Sequence, residues 1–413
     1  MKIKAFRPLL PSSNDVAASL VCPPYDVVSL PEARAILDAN PSSFISVVRP
    51  DASLPDDAAA AETYTAAHAA LASLQRSSSL VRASEPRLYV YEQTLHGRSQ
   101  RGLVSLAAVS DYDAGVIKRH ERTRAKKEED RTRLTDHLSA NVGPVFLAYP
   151  DVVDVDKIVN HAVMEDTLFD VPPGDDGVLH KVWVLSESHS HQLVDLFASD
   201  VPVSYIADGH HRAASAARVG RERKASIGEA WTGEEEFNCF LTVLFPASQL
   251  NILAYNRIVR PPPTFKPSEF IQQLSEIGEL TRMAKSPSEV PENPGSVYVF
   301  LEDDWHSFTL PPPKEKCGVA DALDASLLQR NVLGPLLGIE DPRKSDRIDF
   351  VGGIRGVPYL EDRVRKGDGT VAFALHPVTV KQLFQVSDHG EVMPPKSTWF
   401  EPKLRSGFFI HTF

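Results

Sequence analysis

The chain has 413 residues, 42% hydrophobic and 24% charged, with a formal net charge of −11, enough for one large elaborated domain or two ordinary ones. That acidic balance excludes general nucleic-acid binding and attraction to an anionic membrane, and the longest apolar runs, such as Phe240 to Pro246, fall far below the roughly 20 residues that cross a bilayer. Cysteines at 22, 239 and 317 suggest neither a disulfide framework nor a zinc ligand set, so a cytoplasmic protein is expected.

In chain order, Met1 to Leu10 reads as a first strand, and Cys22-Pro23-Pro24-Tyr25-Asp26-Val27 as an extended turn, because consecutive prolines exclude helix. A helix follows Ser29, Phe44 to Arg49 reads as a strand, and Pro55 opens an alanine-rich helix to about Leu74. Leu88 to Gln93 and Gly102 to Ser110 predict a β-hairpin, followed by a mostly helical stretch to about Ser139. Val145 to Tyr149 and Lys181 to Leu185 are further strands. A strand from Val201 to Ala207 then passes through Asp208-Gly209 into an alanine-rich helix that Gly220 is placed to close. After strands at Phe237 to Phe245 and Ile252 to Val259, the prolines at 261 to 263 mark the expected boundary between a core domain, 1–260, and a C-terminal α/β region, 261–413.

The strongest chemical signal is Asp208-Gly209-His210-His211-Arg212. A helix amino terminus offers unpaired N–H groups and a positive dipole end to an anion, and an arginine there can grip phosphate or carboxylate with two parallel bonds. Asp208 can hold a magnesium ion or simply cap the helix, and Gly209 lets the backbone turn close to a ligand. A second signal is His120-Glu121-Arg122-Thr123 running into Lys127 and Arg131. On a helix that starts near His120, Thr123, Lys127 and Arg131 share a stripe with Leu134 and Leu138, which predicts a polar end aimed into a cleft. The alternative is a solvated helix held by weak ion pairs. Third, Pro394-Pro395-Lys396-Ser397-Thr398 sets hydroxyls beside a lysine on a stiff loop without the glycine-rich Walker pattern.

The Pro-Pro-Tyr-Asp-Val segment at 23–27, Asp-Gly-His-His-Arg at 208–212 and Pro-Pro-Lys-Ser-Thr at 394–398 together resemble a widespread domain family of unknown function. More distantly, a strand followed by Asp-Gly-His is similar to ParB/sulfiredoxin-like proteins, among them free serine kinases. That resemblance implies a mixed α/β (α+β) fold with a ParB/sulfiredoxin-like core, a mixed sheet with flanking helices and large elaborations. It makes 208–212 a nucleotide phosphate site. No cysteine adjoins Asp208 to His211, so sulfiredoxin chemistry is not expected, and no basic helix-turn-helix supports a ParB role.

The resulting expectation is a nucleotide-dependent phosphotransferase acting on a small hydroxylated metabolite such as free serine, using magnesium and ATP or ADP. Asp26 or Glu121 would be the base, with His120 beside it. Gly209, His210, His211, Arg212, Thr123, Lys127, Arg131, Lys396, Ser397 and Thr398 would meet the nucleotide, and Asp208 the metal. Two rivals remain open: a metal-dependent hydrolase built on Asp208 and the histidines, and a non-enzymatic nucleotide or metabolite sensor.

Overall fold

Nine strands carry the site-bearing half of the chain: β1 (Ile3–Lys4), β2 (Tyr89–Leu95), β3 (Arg98–Ala108), β4 (Ile117–Lys118), β5 (Val145–Tyr149), β6 (Phe169–Val171), β7 (Leu179–Val184), β8 (Ser204–Asp208) and β9 (Cys239–Pro246). They pair in the order β4-β8-β5-β9-β3-β2-β7-β6, with β1 against β3. β8 runs parallel to β4 and β9 parallel to β5, whereas the other pairs are antiparallel. The sheet is therefore mixed, in a mixed α/β fold. The expected hairpin is present, and His96 and Gly97 both take positive φ at its tip, as a two-residue turn between twisted strands requires.

The computed structural model describes residues 1–313 and 315–413. These group into Met1–Leu250 with Pro402–Phe413, and Asn251–Glu401. The second unit contains β10 (Tyr255–Val259), β11 (Leu280–Arg282), β12 (Ser296–Leu301), β13 (Asp304–Thr309), β14 (Ile348–Gly352) and β15 (Val371–Leu375), an antiparallel sheet ordered β11-β13-β12-β15-β10-β14. Among the described residues no helix is long and apolar enough to cross a membrane.

Three helices position the site: α1 (Ala60–Arg76), α2 (Ala125–Leu138) and α3 (His210–Ile227). Ala213, Ala216 and Ala217 of α3 are buried in one apolar cluster with Ile206, Phe240 and Leu244 of the sheet; small side chains let the helix approach closely. Leu134 and Leu138 of α2 join a second cluster with Leu71 of α1 and Phe44.

Several local expectations are corrected. Phe44 to Arg49 is not a strand: Ile45–Val48 forms one helical turn with Ile45, Val47 and Val48 all buried, because tertiary packing outweighs the β-propensity of branched residues. The alanine-rich helix opens at Ala60, not Pro55. Gly220 does not close α3, which continues to Ile227 and ends on Gly228 at φ 61°. Gly220 instead allows close packing, since a Cβ there would lie 2.7 Å from the Phe237 carbonyl oxygen.

Candidate functional site at the β8–α3 junction

Between Ile206 and Asp208 the register of β8 against β5 shifts, and such an irregularity re-aims the side chains beyond it. Gly209 follows at φ 92°, a left-handed conformation that costs other residues about 1–2 kcal/mol. A Cβ at Gly209 would also lie 3.0 Å from Arg212 Nε. No side chain caps α3, so its first-turn N–H groups have no acceptor within the helix.

The Asp208 carboxylate is held from two sides, by Arg212 Nη2 at 2.6 Å and by Lys403 Nζ at 3.0 Å. Burial alone would raise the Asp208 pKa, but Lys403 and Arg212 together hold it well below the ordinary carboxylate range. Arg212 Nη1 donates to the Pro144 carbonyl, while its buried Nε has no hydrogen-bond partner. With both oxygens committed to cations, Asp208 does not fit the magnesium-ligand role expected of it. Among the described residues, no group of three or more His, Cys, Asp or Glu is gathered to hold a metal ion.

The two histidines part ways. His210 is 6% exposed and its ring meets that of His120 edge-on, centroids 4.5 Å apart. Burial, and then the neighbouring His120, pushes the His210 pKa far down, and burial takes His120 down to about 4. Both are core imidazoles, neutral at pH 7. Glu121 is exposed, with Oε2 3.9 Å from His210 Nδ1. His211 is half-buried and accepts the Arg124 N–H at 3.0 Å. Its pKa is lowered by burial first and by Lys127 second, against the opposing pull of Asp26.

The polar stripe is only partly realised, because α2 starts at Ala125 and leaves His120 and Thr123 on an irregular segment. The Thr123 hydroxyl is taken by the Glu128 carboxylate. Lys127 is exposed and acts electrostatically on His211. Arg131 stacks on the Tyr25 ring at 4.4 Å and donates to the Val48 carbonyl. Tyr25, Arg131, Arg212 and Ser406 line a small cavity of about 40 Å³, whose apolar wall includes Leu134 and Phe240. Of the five residues at 208–212, Arg212 alone lines it. Asp26, exposed on the proline turn, acts on both Arg212 and His211. Burial and then Asp26 raise the Tyr25 pKa to about 12. Lys396, Ser397 and Thr398 lie in the second unit. There the Ser397 hydroxyl donates to the Pro394 carbonyl at 2.8 Å, and Lys396, at φ 57°, sets Nζ 5.3 Å above the Tyr255 ring.

Two contributors are missing from the sequence-based site, Lys403 and Tyr25. Tyr25 sits inside the Pro-Pro-Tyr-Asp-Val signature and was discoverable there. No local signal ties Lys403 to a carboxylate 195 residues away.

The signature that describes a "Protein of unknown function (DUF1015)" matches residues 3–326. The chain belongs to this family. DUF1015 carries no defined function, and no curated protein matches this DUF1015 chain. Among solved structures it is similar to a free serine kinase mutant in complex with AMP, at 14% identity, covering 72% of this chain and 87% of that one, TM-score 0.36. It is also similar to a conserved hypothetical protein from Pyrococcus furiosus, at 14% identity over 74% and 94%, TM-score 0.35. A third is SbnI with a C-terminal truncation from Staphylococcus aureus, at 12% identity over 73% and 85%, TM-score 0.34.

Proposed function

We propose that this DUF1015 protein binds a nucleotide, ATP or ADP, through its phosphates at the amino terminus of α3 and transfers a phosphoryl group to a small hydroxylated metabolite, free serine being the leading candidate. The observation that carries the reading is the uncapped start of the 18-residue helix α3, with His211 and Lys127 beside it and Asp26 within electrostatic reach of His211. First-turn N–H groups that have no acceptor within the helix, a helix dipole and a nearby ammonium suit an anion, and phosphoryl transfer needs positioning and charge neutralisation more than covalent chemistry. The Asp208–Arg212–Lys403 cluster is a positioning device in this scheme: it locks the strand-to-helix turn so that the N–H groups stay aimed outward. Magnesium would enter on the nucleotide phosphates, neutralising their charge, and not on Asp208.

The base is Asp26 or Glu121, both exposed and therefore accessible to a hydroxyl. The test is isothermal titration of the full chain with ATP and ADP, with and without magnesium, followed by turnover with serine and other small alcohols. Micromolar binding that is lost on His211→Ala together with Lys127→Ala supports the reading. Absence of binding by every nucleotide overturns it. Binding without turnover of any acceptor leaves the sensor as the function.

A further inference from the structure

The second unit buries a positive charge without an acidic partner. Arg257, on β10, is 3% exposed. Its Nη1 donates to the carbonyls of Tyr255 and Asn256, its Nη2 to the Lys396 carbonyl at 3.0 Å, and its plane lies 4.6 Å from the Phe350 ring centroid. Among the described residues no carboxylate pairs with it, none accepts from its Nε, and burial draws its pKa down to about 9. A guanidinium has five N–H donors, and carbonyl dipoles do not neutralise its charge. An uncompensated buried charge is among the costliest features a fold can retain.

Arg257 lines a tight cavity of about 10 Å³, roughly the room one water takes, together with Tyr255, Asp324, His376 and Ser397. Pro294, Asp324 and Gln382 line both this cavity and a wider open groove of about 330 Å³, so the two share a wall. In that shared wall, both Asp324 oxygens face the Gly295 N–H, at 2.9 and 3.0 Å. The remaining lone pairs of that carboxylate favour a hydrogen-bond donor and disfavour a second negative charge. His376 Nδ1 is engaged by the Pro291 carbonyl, which makes Nε2 an acceptor in the neutral ring.

We propose that Arg257 holds the anionic head, a carboxylate or phosphate group, of a small metabolite whose amine or hydroxyl meets Asp324 as the molecule passes into the groove. The site belongs to the second unit and stands independently of the phosphotransfer reading.

The experiment measures melting temperature of the full chain with inorganic phosphate, acetate or glycine, each against sodium chloride at equal ionic strength. A ligand that binds only the folded state raises it. The expected result is a rise above chloride, present in wild type and in His211→Ala/Lys127→Ala, which removes the proposed phosphate contacts of the first unit, and absent when Arg257→Met is added to that variant. Phosphate and acetate separate the two head groups, and a larger rise with glycine than with acetate, abolished by Asp324→Asn, identifies the donor end. No rise in wild type, or a rise that survives Arg257→Met in the His211→Ala/Lys127→Ala background, overturns the proposal. A rise lost in His211→Ala/Lys127→Ala but kept in Arg257→Met also overturns it, by moving the anion to the first unit. Should Arg257→Met not fold, wild type decides alone: the stabilising anion must slow phenylglyoxal modification of Arg257, read by peptide mass, and unchanged modification overturns the site.

Discussion

The carboxylate of Asp208 and the ammonium of Lys403 stand 3.0 Å apart although 195 residues separate them. Asp208 also holds Arg212, so removing the acid leaves two buried cations facing each other, whereas removing Lys403 leaves one satisfied pair. Asp208→Asn should therefore cost about 3–5 kcal/mol and Lys403→Met about 1.5–3 kcal/mol, measured by urea unfolding. The reverse order would show that the cluster is not held by its carboxylate.

The buried histidines set an acid limit on stability. His120 falls from the ordinary histidine value to about 4, His180 to about 3, and His210 falls as well, all chiefly through burial. Below the unfolded value of roughly 6.5 the unfolded chain takes up protons that the folded chain refuses, so stability falls as pH drops, by about 1.4 kcal/mol per pH unit for each such group. The lowered Asp208 pKa acts in a more acid window: its contribution is complete above the unfolded carboxylate value and lost as pH falls below it. Denaturant melts at pH 7, 6 and 5 should show the decline, and His120→Gln should flatten it. A pH-independent midpoint would contradict the burial.

Gly209→Ala should destabilise by about 1–2 kcal/mol from its left-handed backbone alone, with the added Cβ pressing on Arg212. If the proposed phosphate site is correct, nucleotide affinity should fall with it, because the same turn aims the first N–H groups of α3. Calorimetry on this variant separates the two effects.

Lys127 is exposed, so Lys127→Ala should change stability by no more than about 0.5 kcal/mol while weakening nucleotide binding several-fold and reducing its salt dependence. Arg212→Ala should behave differently. Its guanidinium braces Asp208 and Pro144, so it should lower the melting temperature markedly. Selective loss of affinity with intact stability, which the sequence alone suggests for Arg212, is no longer the expected outcome.

Asp26→Asn and Glu121→Gln distinguish the two candidate bases. Single-turnover phosphoryl transfer should collapse in one and persist in the other, with nucleotide affinity nearly unchanged in both. Wild-type rates in both variants would leave the mechanism without a proton acceptor.

The sequence by itself determined the strand and helix around Asp208 with a turn-permitting glycine between them, a hairpin whose connection lies within 95–101, and family membership through three short signatures. Each depends on neighbouring residues, on backbone sterics and on side-chain periodicity, which are written locally. The tertiary structure alone decided that α2 begins at Ala125, that Ile45–Val48 coils under its neighbours, and that His210 turns inward against His120 while His211 stays half-buried. It also decided that Asp208 spends both oxygens on Arg212 and Lys403. Burial and charge pairing depend on which distant atoms arrive at a point in space, and no spacing between adjacent residues encodes that arrival.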